Sequence, residues 1–465
     1  MAEREKALNE ALLEDSTVSP MAQQPPQPTS AVGTEKTGRE LVANFTVMSL
    51  CFSLNHGTVT ALIALASSSL GTALGNVSSG VLYLIYTLTA AFAAHAMTAK
   101  LGSKKTLVVG LGIYCFYVVS YLVAYAIPES RWYAVIVGAA FGGVAAGSIW
   151  PAQGVYFART AELYAVRTDI TREAATSQLG ARFAATYLAC EVTMKLLSSI
   201  VPSFVPNGIE ALFALFTVIA FASVAGVATI DNIDLPESKV SVDFGKNALS
   251  ATRLLSTDAI CACMVPMNFA FGFGAAFVNG YFNSEVVKPG VGEDAIGYIS
   301  AIIVGTAASL SLVYGRLGKF LGYQTPIVLW GAICFALFSL ANLFFAASAL
   351  GHWPFLVVLA AIFGSGRSVW EGSFKATFAD YFPDDSAAAF ANVQLQSGIA
   401  STIGFFLTAT SVNVTVIGYV ALVSAALALV FELCARVLYR ARQRARETSY
   451  AHAVDHEDGA SQDII

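Results

Sequence analysis

Apolar runs of membrane-crossing length follow one another along almost the whole chain, separated by short polar breaks. A hydrocarbon layer about 30 Å thick takes about 20 helical residues to cross. The runs lack the strict alternation of half-buried strands and the broad polar stripe of soluble helices. Twelve spans are predicted, at roughly 41–67, 80–98, 106–127, 132–157, 175–199, 210–230, 258–282, 295–313, 326–348, 354–379, 387–409 and 414–437. Residues 1–38 are acidic and then Gln- and Pro-rich; they bury too little to order themselves and read as a disordered tail, not a signal peptide. The longest hydrophilic connection, within 231–257, is the expected linker between a first half at 39–230 and a second at 258–437. A tail at 438–465 opens basic and turns acidic.

Composition supports the same class. The 465 residues are 56% apolar and 12% charged, where soluble domains carry about 25% charge. The expected fold is an all-α integral membrane protein of twelve transmembrane helices. Net charge of −5 says little, because the charges are segregated. Placing both tails inside puts about 20 of the 26 Lys and Arg in inner tails and loops and leaves only Arg131 and Lys288 in outer ones; both termini are therefore expected in the cytoplasm. All seven cysteines fall in apolar runs, and Cys261 and Cys263 lack the partners of a zinc site, so neither metal nor cofactor is expected. Asn76 and Asn413 head acceptor-type sequons in short loops and are expected to carry no glycan.

The chain also repeats at an offset of about 216–220 residues. Leu101-Gly102 matches Leu317-Gly318, Trp150 matches Trp370 and Gln178-Leu179 matches Gln394-Leu395, each at the corresponding place in its six-span half. Two pseudo-symmetric six-helix halves about an axis along the membrane normal are the major facilitator arrangement. Lys100-Leu-Gly-Ser-Lys-Lys105 resembles the end of that superfamily's second-to-third loop motif, without its usual Asp.

Four passages carry a closer likeness: Leu70 to Tyr83, Leu101-Gly-Ser-Lys-Lys, Gly147-Ser-Ile-Trp-Pro-Ala-Gln-Gly-Val-Tyr156 and Gly364-Ser-Gly-Arg367. Over roughly 41–437 the chain resembles the UNC-ninety-three-like, or ion channel regulatory protein, family. The resemblance implies a twelve-span major facilitator fold. It leaves the activity open among transporters, channel-regulating subunits and a trafficking chaperone for innate immune receptors. This chain departs from the family in span ten, where Arg367 and Glu371 stand in place of an acidic residue and amides.

Polar residues inside the spans are the candidates for function, since a charge at mid-membrane costs several kcal/mol unless it meets a cavity or a partner. Arg367, Glu371 and Lys375 share one face of span ten, and Glu191 and Lys195 lie one turn apart in span five. Pairing within each helix, with Lys195 and Lys375 snorkelling, is the simplest arrangement for both sets. Trp150, Gln153 and Tyr156 of span four, Asn55 and His56 of span one, Asn268 of span seven, and Arg367, Trp370 and Glu371 are the expected substrate-binding residues, with Trp150 and Trp370 as two walls of one site. Glu371, His56 and Glu191 are the expected proton carriers. The first functional reading is a secondary transporter moving a small molecule or ion by alternating access. The second is a non-transporting partner of a channel or receptor. No catalytic constellation or nucleotide loop points to an enzyme, and the basic C-terminal run suits anionic lipid without invoking nucleic acid. Plasma and endosomal or vacuolar membranes fit equally.

Overall fold

The computed structural model describes residues 36–233, 246–321, 323–383, 385–410 and 413–462. The chain folds into twelve long helices: α1 (Gly38–Ser69), α2 (Thr72–Phe92), α3 (Ser103–Ala126), α4 (Arg131–Thr168), α5 (Arg172–Phe204), α6 (Gly208–Ala228), α7 (Ala259–Val291), α8 (Ala295–Leu321), α9 (Thr325–Phe344), α10 (Trp353–Tyr381), α11 (Ser386–Ala409) and α12 (Val414–Gln462). Eleven are long and apolar enough to cross a membrane; α11 is the twelfth, and its 24 residues reach about 36 Å at 1.5 Å each. Phe116, Val218, Leu312, Phe355 and Val430 point outward from different helices. Such a belt would aggregate in water and is what lipid requires.

Local chemistry sets the helix ends. Thr37 caps α1 and Glu40 returns the bond to the Thr37 amide, a reciprocal capping box. Pro128 precedes α4, whose last turn closes on Asp169 in the left-handed region. Two loops are much shorter than the sequence suggests. The expected polar turn at 71–79 is helical from Thr72, with the break confined to Gly71 at φ 90°. The charged stretch at 159–173 is helical but for 169–171. Asn76, Ser78 and Ser79 there are buried, and Asn76 bonds a carbonyl of another helix.

Each half packs closely through small residues. A Cβ on Gly143 would stand 2.6 Å from the Leu82 carbonyl and from Ile85, and one on Gly147 would stand 2.6 Å from Thr89, so α4 lies directly on α2. The halves meet along α2 with α11, α5 with α8, and α1 with α7. Lys36 pairs with Asp231, and Arg442 with Asp258 at 2.6 Å, all on the face where both described ends emerge, here the terminal face. The α1–α7 seam lies at the opposite, far face. There Ser67 Oγ donates to the Asn279 carbonyl (2.7 Å), Asn76 Nδ2 to the Gly280 carbonyl (3.2 Å), Asn283 Nδ2 to the Ala64 carbonyl (3.0 Å) and Lys288 Nζ to the Ser68 carbonyl (2.6 Å). Residues 278–287 of α7 form a π-helix, whose wider turns present carbonyls to this seam. A second π-helical stretch, Trp370–Phe374, interrupts α10.

On the far face α5 and α8 also touch, through Ser203 with Asp294 (3.2 Å) and the Tyr298 amide with Ser199 Oγ (2.9 Å). Toward the terminal face much of α5 between Thr171 and Ala189 is exposed. The halves are therefore tied together at the far face through α1 with α7 and α5 with α8, and α5 is more exposed toward the terminal face.

Candidate functional site

Between the halves lies a cavity of about 190 Å³. The first half lines it with His56 and Thr60 of α1, Tyr83 of α2, and Tyr187, Glu191 and Lys195 of α5. The second half contributes Phe271 and Asn279 of α7, Ser300 of α8, and Phe363 and Arg367 of α10.

The charges here do not pair helix by helix. Arg367 reaches across the halves and donates through Nη1 and Nη2 to the two carboxylate oxygens of Glu191, at 3.2 and 3.1 Å. Its Nε donates to Glu371 at 2.9 Å. The Glu191 side chain is 3% exposed and that of Arg367 16%, so the bidentate pair is removed from water. Lys195 does not snorkel: its side chain is 8% exposed and its Nζ stands 3.8 Å from Glu191 Oε1. The result is one line of alternating charge, Lys195–Glu191–Arg367–Glu371. Helix direction runs it along the membrane normal, with Lys195 nearest the far face and Glu371 nearest the terminal face. Lys375 lies over the Trp370 ring, 4.2 Å from its centre, a cation–π contact rather than an ion pair with its own helix.

His56 is wrapped in aromatic rings. Tyr187 stacks on it at 5.8 Å and Trp150 meets it edge-on at 5.2 Å, and Tyr114 Oη lies 3.5 Å from Nδ1. Trp370 stacks on Phe271 at 3.7 Å and donates its indole N–H to Asn268 Oδ1 at 2.9 Å. The two tryptophans are thus not facing walls of the cavity. Each stands one layer behind a lining ring, Trp150 behind His56 and Trp370 behind Phe271, which is the correspondence their repeat positions share.

Four other expected substrate contacts lie outside the lining of this cavity. Asn55 is fully buried with its Nδ2 on the Ala220 carbonyl (3.0 Å), tying α1 to α6. Tyr156 lies at the terminal face, where its hydroxyl donates to the Asp231 carbonyl (3.0 Å) and accepts from Asn44 Nδ2 (2.5 Å). Gln153, one turn before it on α4, is buried away from the cavity lining. Asn268 sits behind the cavity in a hydrogen-bonded row: its Nδ2 donates to Gln396 Oε1 (2.7 Å), Gln396 to Asn392 Oδ1 (3.2 Å) and Asn392 to the Ala251 carbonyl (2.9 Å) of a linker helix, Lys246–Thr257. A buried amide needs a partner; Asn55 Nδ2 and both ends of Asn268 have theirs on neighbouring helices, while Asn55 Oδ1 has none. Of the expected residues, His56, Glu191 and Arg367 line the cavity, and Glu371 joins them through Arg367. Tyr83, Tyr187, Phe271 and Ser300 complete the lining and carry no sequence signal beyond being aromatic or small inside a span.

The model of the family described as "Ion channel regulatory protein UNC-93" matches residues 67–433. Among curated relatives, UNC93-like protein 3 of Arabidopsis thaliana is 25% identical over 349 residues, covering 72% of this chain and 74% of the relative. Protein unc-93 homolog A of Bos taurus is 24% identical over 395 residues, covering 76% and 84%. Among solved structures, a nucleoside transporter aligns with TM-score 0.62 at 13% identity, over 85% of this chain and 99% of its own. A structure concerned with proton dependent oligopeptide transporters aligns equally well, with TM-score 0.62 at 13% identity over 88% and 100%. At that identity the likeness is one of fold: two six-helix halves of the major facilitator type. A match over most of the chain, on a twelve-helix frame around a cavity shared by both halves, makes this protein a member of the UNC-93 family.

Proposed function

We propose that this chain is a secondary transporter that carries a small solute by alternating access, its two halves rocking about the central cavity. The observation that carries the reading is the buried Glu191–Arg367 pair, which joins α5 of one half to α10 of the other at the cavity wall. A structural ion pair inside one half would stabilise the fold equally well. One that bridges the moving parts changes its surroundings whenever they move, which is what coupling requires. The far-face contacts between the halves and the exposure of α5 toward the terminal face support reading this conformation as one of the two end states. With the positively charged loops on the terminal face, both termini lie in the cytoplasm and this state opens inward.

Glu371 and His56 are the proton-accessible groups in this scheme. Glu371 is one-third exposed and holds Arg367 from the open side, while His56 lines the cavity opposite. Protonating Glu371 would release one of the three bonds on the guanidinium. Glu191 serves as the fixed counter-charge.

The test is flux into liposomes holding purified protein under an imposed proton gradient, with small anions, amines and neutral solutes compared. Solute-dependent proton movement that Glu371→Gln slows at least about tenfold and Glu191→Gln abolishes supports coupled transport. Absence of flux for every class from folded protein sinks it. The family description favours a second reading, regulation of a partner channel. On that reading the variants leave flux at zero and alter the current of a co-expressed channel.

A further inference from the structure

We infer that the far end of the cavity is an anion-binding subsite built on Lys195 and Ser300, and that its ligand is a small monocarboxylate with a flat, ring-like body. This deepens the transport reading and rests on it only for the direction of movement; binding stands by itself.

The inference begins with a donor that lacks acceptors. An ammonium offers three donors. Among the described residues Lys195 Nζ has one acceptor, Glu191 Oε1, at 3.8 Å, beyond a good hydrogen bond. Glu191 is oriented toward Arg367, which holds both its oxygens at 3.1–3.2 Å. The Lys195 side chain is nevertheless 8% exposed, so water does not make up the difference freely. The second observation is independent. Ser300 Oγ on α8 is buried, lines the same cavity and has no hydrogen-bond partner. The two are neighbours in the fold: α8 meets α5 at this level, with Gly297 against the Lys195 carbonyl and the Tyr298 amide on Ser199. Buried polar groups are ordinarily satisfied, and two orphans facing one cavity call for an acceptor between them.

Charge decides the sign of the ligand. The lining carries two cations, Lys195 and Arg367, against one carboxylate, Glu191. Glu371 offsets part of this from the rim, where solvent screens it. A single negative charge at Lys195 completes the balance, whereas a cation there would face an ammonium with no free carboxylate.

Shape decides the rest. From Lys195 the cavity runs past Tyr83, Tyr187, Phe271 and Phe363, whose rings suit a flat apolar body. At about 190 Å³ it falls below the 300–1,000 Å³ typical of drug-sized ligands, which favours a small one.

Benzoate, benzyl alcohol and benzylamine share one ring and differ in charge, so they test the subsite by titration calorimetry on the purified full-length chain. Benzoate is expected to bind at least about tenfold more tightly than benzyl alcohol, the scale of a charge-assisted hydrogen bond, and benzylamine not at all. Lys195→Gln should remove the preference, Ser300→Ala weaken benzoate several-fold, and Lys195→Arg retain it. Absence of benzoate binding, benzylamine bound as well as benzoate, or a preference intact in both Lys195→Gln and Ser300→Ala overturns the inference. Benzoate bound with the expected preference but not moved in liposomes keeps the subsite and overturns transport. Movement of amines alone does the reverse.

Discussion

Arg367→Ala is expected to lower unfolding stability by about 3–5 kcal/mol and to abolish solute movement. Removing one partner of a buried ion pair leaves the other charge uncompensated, and that cost dominates. Here the abandoned group is Glu191, 3% exposed and on a different half from Arg367. Glu371→Gln breaks the same guanidinium's third bond at a one-third-exposed carboxylate, so its effect on stability stays within about 1 kcal/mol. Replacing Glu191, Lys195 and Arg367 together by Leu, Met and Met should recover most of the stability and none of the movement, because a well-packed apolar cluster replaces a buried ionic one at little cost. Thermal unfolding in detergent, paired with flux in liposomes, separates the two effects. An Arg367→Ala protein as stable as the wild type would mean that Glu191 finds another partner and that the pair is not what holds the halves.

The second large effect is expected at the seam. A Cβ on Gly280 would stand 2.7 Å from Asn76 Oδ1 and 2.7 Å from Thr408 Oγ1, on α2 and α11. Gly280→Val therefore pushes directly on two helices and strains the Asn76 bond to the Gly280 carbonyl. Overpacking of this kind costs about 1–3 kcal/mol. On the alternating-access reading the contact belongs to the state with the far face closed, so the cost is expected to fall on that end state and shift the balance between states by about 5–150-fold. A Thr60→Cys reporter in the cavity reads the shift. Labelling by a membrane-impermeant thiol reagent should proceed from the terminal face in the reporter alone, and gain a comparable rate from the far face once Gly280→Val is added. Unchanged labelling from both faces would show that the seam is not a gate.

Much of the frame was legible because membrane helices announce themselves by length and apolarity, and because charge segregates between their ends. The positions of Asp169 and Gly71, where helices stop, were less so. The polar residues around them look like loop, yet Asn76 is polar because it pairs with a carbonyl of the other half. The site was legible only as a set of residues, not as an arrangement. Spacing of i and i+4 joins Arg367 to Glu371 and Glu191 to Lys195. Only docking of α5 beside α10 reveals that Glu191 and Arg367 prefer each other. Likewise Trp150 and Trp370 correspond by repeat, but whether an indole faces a cavity or backs a smaller ring depends on helix rotation. Tyr156 sits in the most distinctive passage of the chain and bonds at its terminal face rather than in its cavity.

The connection between the halves is fastened at both ends. Asp231 is held to the first half by Lys36, by the Tyr156 hydroxyl and by Asn44 Oδ1 on its amide (2.8 Å). The linker helix is held to the second by Asn392 on Ala251, with Asp258 beyond it held by Arg442. The chain should be severable between these fastenings: fragments 1–239 and 240–465, expressed together, are expected to co-purify and to bind whatever the intact protein binds. On this view the gene encodes two partners that could have been separate, and the peptide bond joining them serves stoichiometry more than structure.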